Sequence, residues 1–234
     1  MHRIYPWKSR EIRSIIDDIY SKIIDDILKA RINRVLVLCS ASGESVFEIA
    51  RRLEARGLLG YEIIGLELDE DLVKIAEDKL RNLIFRGRIE FKCGDPSRIL
   101  YPNEYFDAVI YESIVYPSPN PVDIAQVNIS RVLRNGGYFI FTDVLLFGDE
   151  EFYKSIGIKY YHKLKLEDFK RIMENSGFRN IVVDDITEIV KKAWKTKLEN
   201  TKDEKLKQVI NKLINEKLGV ELKYIYVMGI KSKG

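Results

Sequence analysis

Arg34-Val35-Leu36-Val37-Leu38-Cys39-Ser40-Ala41-Ser42-Gly43 is the stretch that decides the fold. Val35 to Leu38 is an unbroken apolar run, the pattern of a strand buried on both faces. It runs into Cys39 to Gly43, a loop of small residues. Glu44 to Arg56 then shows helical spacing, and a second apolar run, Ile63-Ile64-Gly65-Leu66, stops at Glu67. A strand, a tight small-residue turn, a helix and a second strand ending in a carboxylate make a nucleotide-binding half-site. The turn lets backbone N–H groups and a helix N-terminus approach an anionic group. The carboxylate, about two dozen residues on, can accept both hydroxyls of a ribose.

Strand and helix patterns alternate outward from this unit. The first helix presents Val46, Phe47, Ile49, Ala50 and Leu53 inward, with Gly57 as its C′ residue. Asp69 caps a second helix whose inner face is read as Leu72, Ile75, Ala76, Leu80 and Leu83. Arg88 to Cys93 alternates as a strand, Gly94-Asp95-Pro96 is a turn, and Phe106 to Tyr111 is a fourth strand. A loop with Pro117, Pro119 and Pro121 leads to a helix through Ile124, Ala125, Ile129, Val132 and Leu133. Asn135-Gly136-Gly137 turns into a strand from Tyr138 to Thr142. Past Asp143 the pattern loosens through an aromatic stretch, Phe147 to Tyr161. It then gives a helix (Leu166 to Ser176), a strand (Phe178 to Val183), a helical region broken near Asn200-Thr201, and a strand from Leu222 to Ile230. Repeated βα units predict an α/β fold, a doubly wound, mainly parallel sheet with helices on both faces. Ligands of such sheets bind at the carboxyl ends of the strands, and Glu67, Asp95, Glu112 and Asp143 are all placed there.

Ahead of this domain, Lys8 to Ala30 reads as an amphipathic helix with an isoleucine stripe at positions 12, 15, 16, 19, 23, 24 and 27. Residues 1–32 are accordingly an N-terminal helical cap and 33–234 the main domain, one domain overall. The exposed face of the cap helix is a surface for a lid or for a homodimer. The off-stripe pairs Asp17-Asp18 and Asp25-Asp26 could bind a metal, but no His or further carboxylate converges on them, and a solvated face is the expectation.

At 234 residues the chain can bury a full core, and its +3 charge, less lopsided than is usual in a dedicated nucleic-acid binder, neither excludes nor favours nucleic acid. The lysines from Lys191 to Lys207 are interrupted by Glu199, Asp203 and Glu204, the pattern of a solvated face. Cys39 and Cys93 have no metal-ligand spacing and do not form a disulfide framework, so no metal is expected and a reducing cytoplasm is the default. No membrane span or signal peptide is read. Glutamine is nearly absent while Ile, Lys, Arg and Glu abound, a bias of thermophiles that AT-rich coding also produces in part.

Five segments in order carry a family resemblance. Val35 to Gly43, Ile64-Gly65-Leu66-Glu67, Gly94-Asp95, Phe106-Asp107-Ala108-Val109 and Arg131-Val132-Leu133-Arg134-Asn135-Gly136-Gly137 resemble the successive motifs of class I S-adenosylmethionine-dependent methyltransferases. The match covers Arg34 to about Asp143. Asp184-Asp185-Ile186-Thr187 and Trp194 are similar to the small-molecule branch of that family. The resemblance implies a seven-stranded sheet whose last strand is antiparallel and inserted between the fifth and sixth. It implies S-adenosylmethionine as cofactor and methyl transfer by in-line displacement to a small-molecule acceptor. Such chemistry needs alignment of cofactor and acceptor more than a catalytic triad.

By the same resemblance Glu67 binds the ribose hydroxyls, with Leu68 beside it. Asp95 accepts from the adenine amino group, next to Pro96. The backbone of Cys39, Ser40, Ala41 and Gly43 lines the methionine end, and Tyr111 completes the cofactor site. Candidate catalytic residues are Tyr116, Asp143 and His162, the last being either a general base or a surface residue. Glu112 and Ser113 line the acceptor side, with Tyr5-Pro6-Trp7 and the aromatic stretch as its roof.

Two departures from the family pattern stand out. Cys39 and Ala41 occupy positions that are usually glycine, and a positive φ at either would cost about 1 kcal/mol or more. Val37 stands where the family commonly has an acidic residue. Cys39 itself reads as a small buried replacement for glycine rather than a reactive thiol. A methyltransferase-like protein that binds cofactor or a partner without turnover is therefore an alternative, and an RNA or protein methyltransferase a second. A dinucleotide-dependent dehydrogenase would want Gly-x-Gly-x-x-Gly, which Cys39 to Glu44 does not supply.

Overall fold

The computed structural model describes residues 13–28, 32–96, 98–112, 128–146, 151, 165–212, 214 and 222–232. Its strands are β1 (Arg34–Leu38), β2 (Glu62–Glu67), β3 (Arg88–Cys93), β4 (Phe106–Glu112), β5 (Leu133–Leu146), β6 (Phe178–Asp185) and β7 (Leu222–Lys231). Its helices are α1 (Arg13–Leu28), α2 (Glu44–Ala55), α3 (Glu70–Leu80), a single turn α4 (Ser130–Val132), α5 (Leu166–Asn175), α6 (Thr187–Asn200) and α7 (Glu204–Lys212). The strands form one sheet in the order β3-β2-β1-β4-β5-β7-β6. Pairing is parallel from β3 through β5, and β7 runs antiparallel to both β5 and β6. The strand order reverses between β1 and β4, and the carboxyl ends at such a reversal are where sheets of this kind bind ligands.

The pleat sorts the side chains. Val35, Val37, Ala108 and Ile110 pack to one face with α1, α2 and α6, while Leu36, Leu38, Val109 and Tyr111 pack to the other with Phe169 and Met173 of α5. Burial on both faces explains the unbroken apolar run in β1. Asp107 pins its start, where one carboxylate oxygen accepts from the backbone N–H of Asn33 and of Arg34, both at 2.8 Å. The Arg134 guanidinium bridges to the other oxygen. This links the fourth strand to the segment that the sequence set just before the fifth.

The inner face predicted for α2 is buried in full, and Gly57 takes φ 82° just past its end. Asp69 caps α3 by accepting from the N–H groups of Asp71 and Leu72. Other expectations need correction. The buried side of α3 is Val73 and Ala76, and Ile75 is 39% exposed. That helix lies over β2 and β3 at the sheet edge, so a narrow stripe suffices. The fifth strand starts at Leu133 and runs to Leu146, well past Thr142. Asn135-Gly136-Gly137 is an irregularity within it, with Gly136 at φ 76°, not the turn that begins it. Its end is ordered by β7, since Asp143 to Leu146 pair with Ile225 to Leu222. Asp143 therefore lies inside a strand.

The isoleucine stripe of α1 is buried at Ile19, Ile23, Ile24 and Ile27. Asp26 is not on a solvated face, however. It is 6% exposed and accepts a 2.8 Å hydrogen bond from the Tyr226 hydroxyl. Asp25 does face solvent, paired with Arg56. Lys197, read within a solvated basic face, is buried as well. Among the described residues no helix is long and apolar enough to cross a membrane.

Candidate functional site

The loop after β1 is held in an unusual backbone path. Cys39 (φ 54°), Ala41 (φ 46°) and Gly43 (φ 89°) all lie in the left-handed region. Glycine enters that region freely, whereas Cys and Ala do so at a cost of about 1 kcal/mol or more each. The two substituted positions are thus the strained ones. Gly43 is required on a second count, because a Cβ there would stand 2.7 Å from the ring of Phe91. The same ring lies 2.6 Å from a Cβ built on Gly65. An apolar residue on β3 thereby accounts for both glycines, a constraint that spacing in the sequence does not reveal.

Several bonds oppose the strain. Ser40 N–H donates to the carbonyl of Leu66 at 3.2 Å, and Gly43 N–H donates to that of Ser40 at 2.9 Å. The Ala41 N–H donates to Glu67 Oε2 at 2.9 Å. Glu67 Oε1 accepts from the N–H groups of Leu68 (2.9 Å) and Asp69 (3.1 Å). Glu67 is thus a fixed, half-buried carboxylate that ties β2 to the β1 loop. Lys79 donates to the Ser42 carbonyl at 3.2 Å and pairs with Glu44, holding α3 against the loop. The N-terminus of α2 has no side-chain cap. Ser40 Oγ is buried and has no hydrogen-bond partner among the described residues.

The other expected cofactor residues surround this carboxylate. Leu68 is 65% exposed, an apolar side chain open at the strand end. Gly94 N–H donates to the Glu67 carbonyl at 2.9 Å and sets the next turn alongside. In that turn Asp95 is exposed and Pro96 is buried. Cys93 is exposed and donates to the Leu68 carbonyl, 3.6 Å away, while Cys39 is half-buried, and the two form no disulfide. Tyr111 is fully buried in the second core, level with Leu38 and Phe141, so it underlies the edge. Asp143 is 7% exposed and stands just past the level of Glu112, the last residue of β4, which pairs with Thr142. Tyr116, His162, Ser113, Tyr5-Pro6-Trp7 and the aromatics between Phe147 and Tyr161 lie outside the described residues. Among the described residues no group of three or more His, Cys, Asp or Glu could hold a metal ion.

These residues fit S-adenosylmethionine at its nucleoside end. Glu67 is a fixed carboxylate at the strand end, with the exposed Leu68 beside it and Asp95 in the adjacent turn. At the methionine end the fit rests on backbone groups. Val37, where an acid is common, is wholly buried in the core opposite Gly65.

Residues 40–141 match the family model described as a methyltransferase domain. The chain is 27% identical over 147 residues to demethylmenaquinone methyltransferase of Leptospira interrogans, covering 62% of this chain and 51% of that protein. It is 27% identical over 180 residues to the ubiquinone/menaquinone biosynthesis C-methyltransferase of Geobacter sulfurreducens, covering 66% and 68%. The chain thus spans about half the length of the first of these relatives. Among solved structures, geranyl diphosphate C-methyltransferase from Streptomyces coelicolor superposes with a TM-score of 0.71 at 11% identity, over 98% of this chain and 84% of that one. Sheet order, motif order and the matched segment together make this chain similar, over residues 40–141, to the methyltransferase domain of class I S-adenosylmethionine-dependent methyltransferases.

Proposed function

We propose that the chain transfers a methyl group from S-adenosylmethionine to a small-molecule acceptor at the carboxyl edge between β1 and β4. The observation that carries this reading is the fixed Glu67 carboxylate, set at the reversal of strand order and joined to the small-residue loop. The cofactor supplies an electrophilic sulfonium methyl, and the protein supplies alignment. Glu67 accepts from the ribose hydroxyls, Leu68 packs on the base and Asp95 accepts from its amino group. The Cys39 to Gly43 backbone meets the methionine end. Asp143 serves the acceptor side beyond β4, with Tyr116 and His162 as further candidates there. The names of the relatives direct the first acceptor screen to quinone-like and isoprenoid compounds.

Residues 1–32 act as a helical cap on a catalytic domain formed by 33–234. The burial of Ile23, Ile24 and Ile27 in the same core as β1 supports one domain overall. Two cysteines outside any disulfide support a reducing, cytoplasmic setting. A second reading, cofactor or partner binding without turnover, is favoured by one observation, the strain at Cys39 and Ala41.

Thermal denaturation with S-adenosylmethionine and S-adenosylhomocysteine, checked by calorimetric titration, tests the reading. At a hundred times its dissociation constant a ligand adds about 2.7 kcal/mol. In a protein of this size that raises Tm by roughly 5–10 °C. Glu67→Ala should remove the rise. Flat titrations with both ligands would refute the cofactor assignment. Binding without product from any acceptor pool would favour the second reading, and steeply salt-dependent RNA binding would point to a nucleic-acid substrate instead.

A further inference from the structure

Glu67 carries more bonds than a ribose acceptor needs, and they bear on how the site opens. A carboxylate offers about four acceptor positions, two on each oxygen. Oε1 accepts from the N–H groups of both Leu68 and Asp69, and Oε2 accepts from Ala41 N–H. Among the described residues one position, on Oε2, is left. A vicinal diol brings two O–H donors, so a nucleoside can engage the carboxylate fully only by displacing the Ala41 N–H. That bond is also the weakest point at which to open the site. Leu68 and Asp69 are Glu67's own chain neighbours, whereas Ala41 lies 26 residues away on another loop and is held in a strained left-handed conformation.

We propose that the Glu67 carboxylate is a shared acceptor: in the free protein it latches the Cys39 to Gly43 loop through Ala41 N–H, and a ribose diol displaces that N–H and releases the loop. This rests on the ribose assignment made above. Glu67 is then a positioning residue for the loop as well as a ligand contact. Occupation of the nucleoside end switches the loop from its latched to its released state, with the Ala41 N–H freed as a donor for the rest of the ligand.

The test is amide NMR on the full 15N-labelled chain, with adenosine and 2′,3′-dideoxyadenosine as probes. An amide proton bonded to a carboxylate resonates downfield. Glu67→Ala in the free protein calibrates the released position of the Ala41 amide, and Glu67→Leu, which also lacks an acceptor, replaces it if the alanine variant does not fold. The expected result is that adenosine moves the Ala41 amide upfield toward that position while the Leu68 and Asp69 amides stay bonded. Dideoxyadenosine should leave Ala41 in place. If adenosine perturbs residues 67–69 but Ala41 stays downfield, the shared acceptor is refuted and the ribose assignment stands. If saturating adenosine perturbs neither, the ribose assignment fails and the latch mechanism falls with it. If the calibrating variant leaves the Ala41 shift unchanged, the latch is refuted whatever the ligand does.

Discussion

Replacing Ala41 by glycine should stabilise the protein, although it deletes an atom and adds no contact. Ala41 sits at φ 46° and is half-buried, so removing its methyl relieves strain and exposes little. The relief is worth about 1 kcal/mol or more. The greater freedom of glycine in the unfolded chain takes back about 0.4–1 kcal/mol. The net is a gain of about 0.5 kcal/mol, or roughly 1–2 °C in Tm at this chain length. The N–H to Glu67 is kept, so the loop's tie to β2 is unchanged. Cys39→Gly removes similar strain at φ 54° but also loses the packing of a half-buried thiol on the second core, so it should come out nearer neutral.

Gly43→Ala is the opposing control. It combines a left-handed φ of 89° with a Cβ 2.7 Å from the Phe91 ring, and should cost about 1–3 kcal/mol. Urea unfolding at matched m-values measures all three variants. The contrast in sign between neighbouring positions is the content of the prediction. Destabilisation by Ala41→Gly of more than about 0.5 kcal/mol, or a neutral Gly43→Ala, would refute the strain argument.

Asp107→Ala should cost about 1–3 kcal/mol in urea unfolding, because it strips the acceptor from the Asn33 and Arg34 N–H groups and the partner from Arg134. Tyr226→Phe should cost about 1–2 kcal/mol, since the buried Asp26 carboxylate loses a 2.8 Å donor. Stability should also fall in alkali. Burial pushes Tyr224 up to about 12 from its ordinary 10.0, and raises Tyr226 further with help from Asp26. A phenol whose folded value is raised gives its full contribution below pH 10 and loses it as the pH climbs toward the folded value, because only the unfolded chain ionises there. Tm measured from pH 8 to 11.5 should therefore drop above about pH 10, and less steeply in Tyr226→Phe. An unchanged slope in that variant would contradict the assignment.

The sequence by itself determined the order of strands and helices, because apolar runs, small-residue turns and caps are local signals. It also placed Glu67, since a carboxylate at the end of an apolar run after a small-residue turn is legible as a pattern. The sheet order with the antiparallel β7 followed from family resemblance and not from periodicity. What the tertiary structure decided is what depends on distant partners. Asp26 is two residues past Ile24 on the helix and reads as polar surface, yet Tyr226 of β7, 200 residues away, draws it inside. β5 runs on to Leu146 because β7 supplies hydrogen bonds that no local pattern announces. Most plainly, the backbone path of Cys39 and Ala41 could not be read from their side chains, which prefer other conformations. It is imposed by Leu66 and Glu67 accepting their neighbours' N–H groups and by the ring of Phe91 packed on the adjoining glycine. Local propensity is worth about 1 kcal/mol per residue there, and several tertiary bonds acting together exceed it.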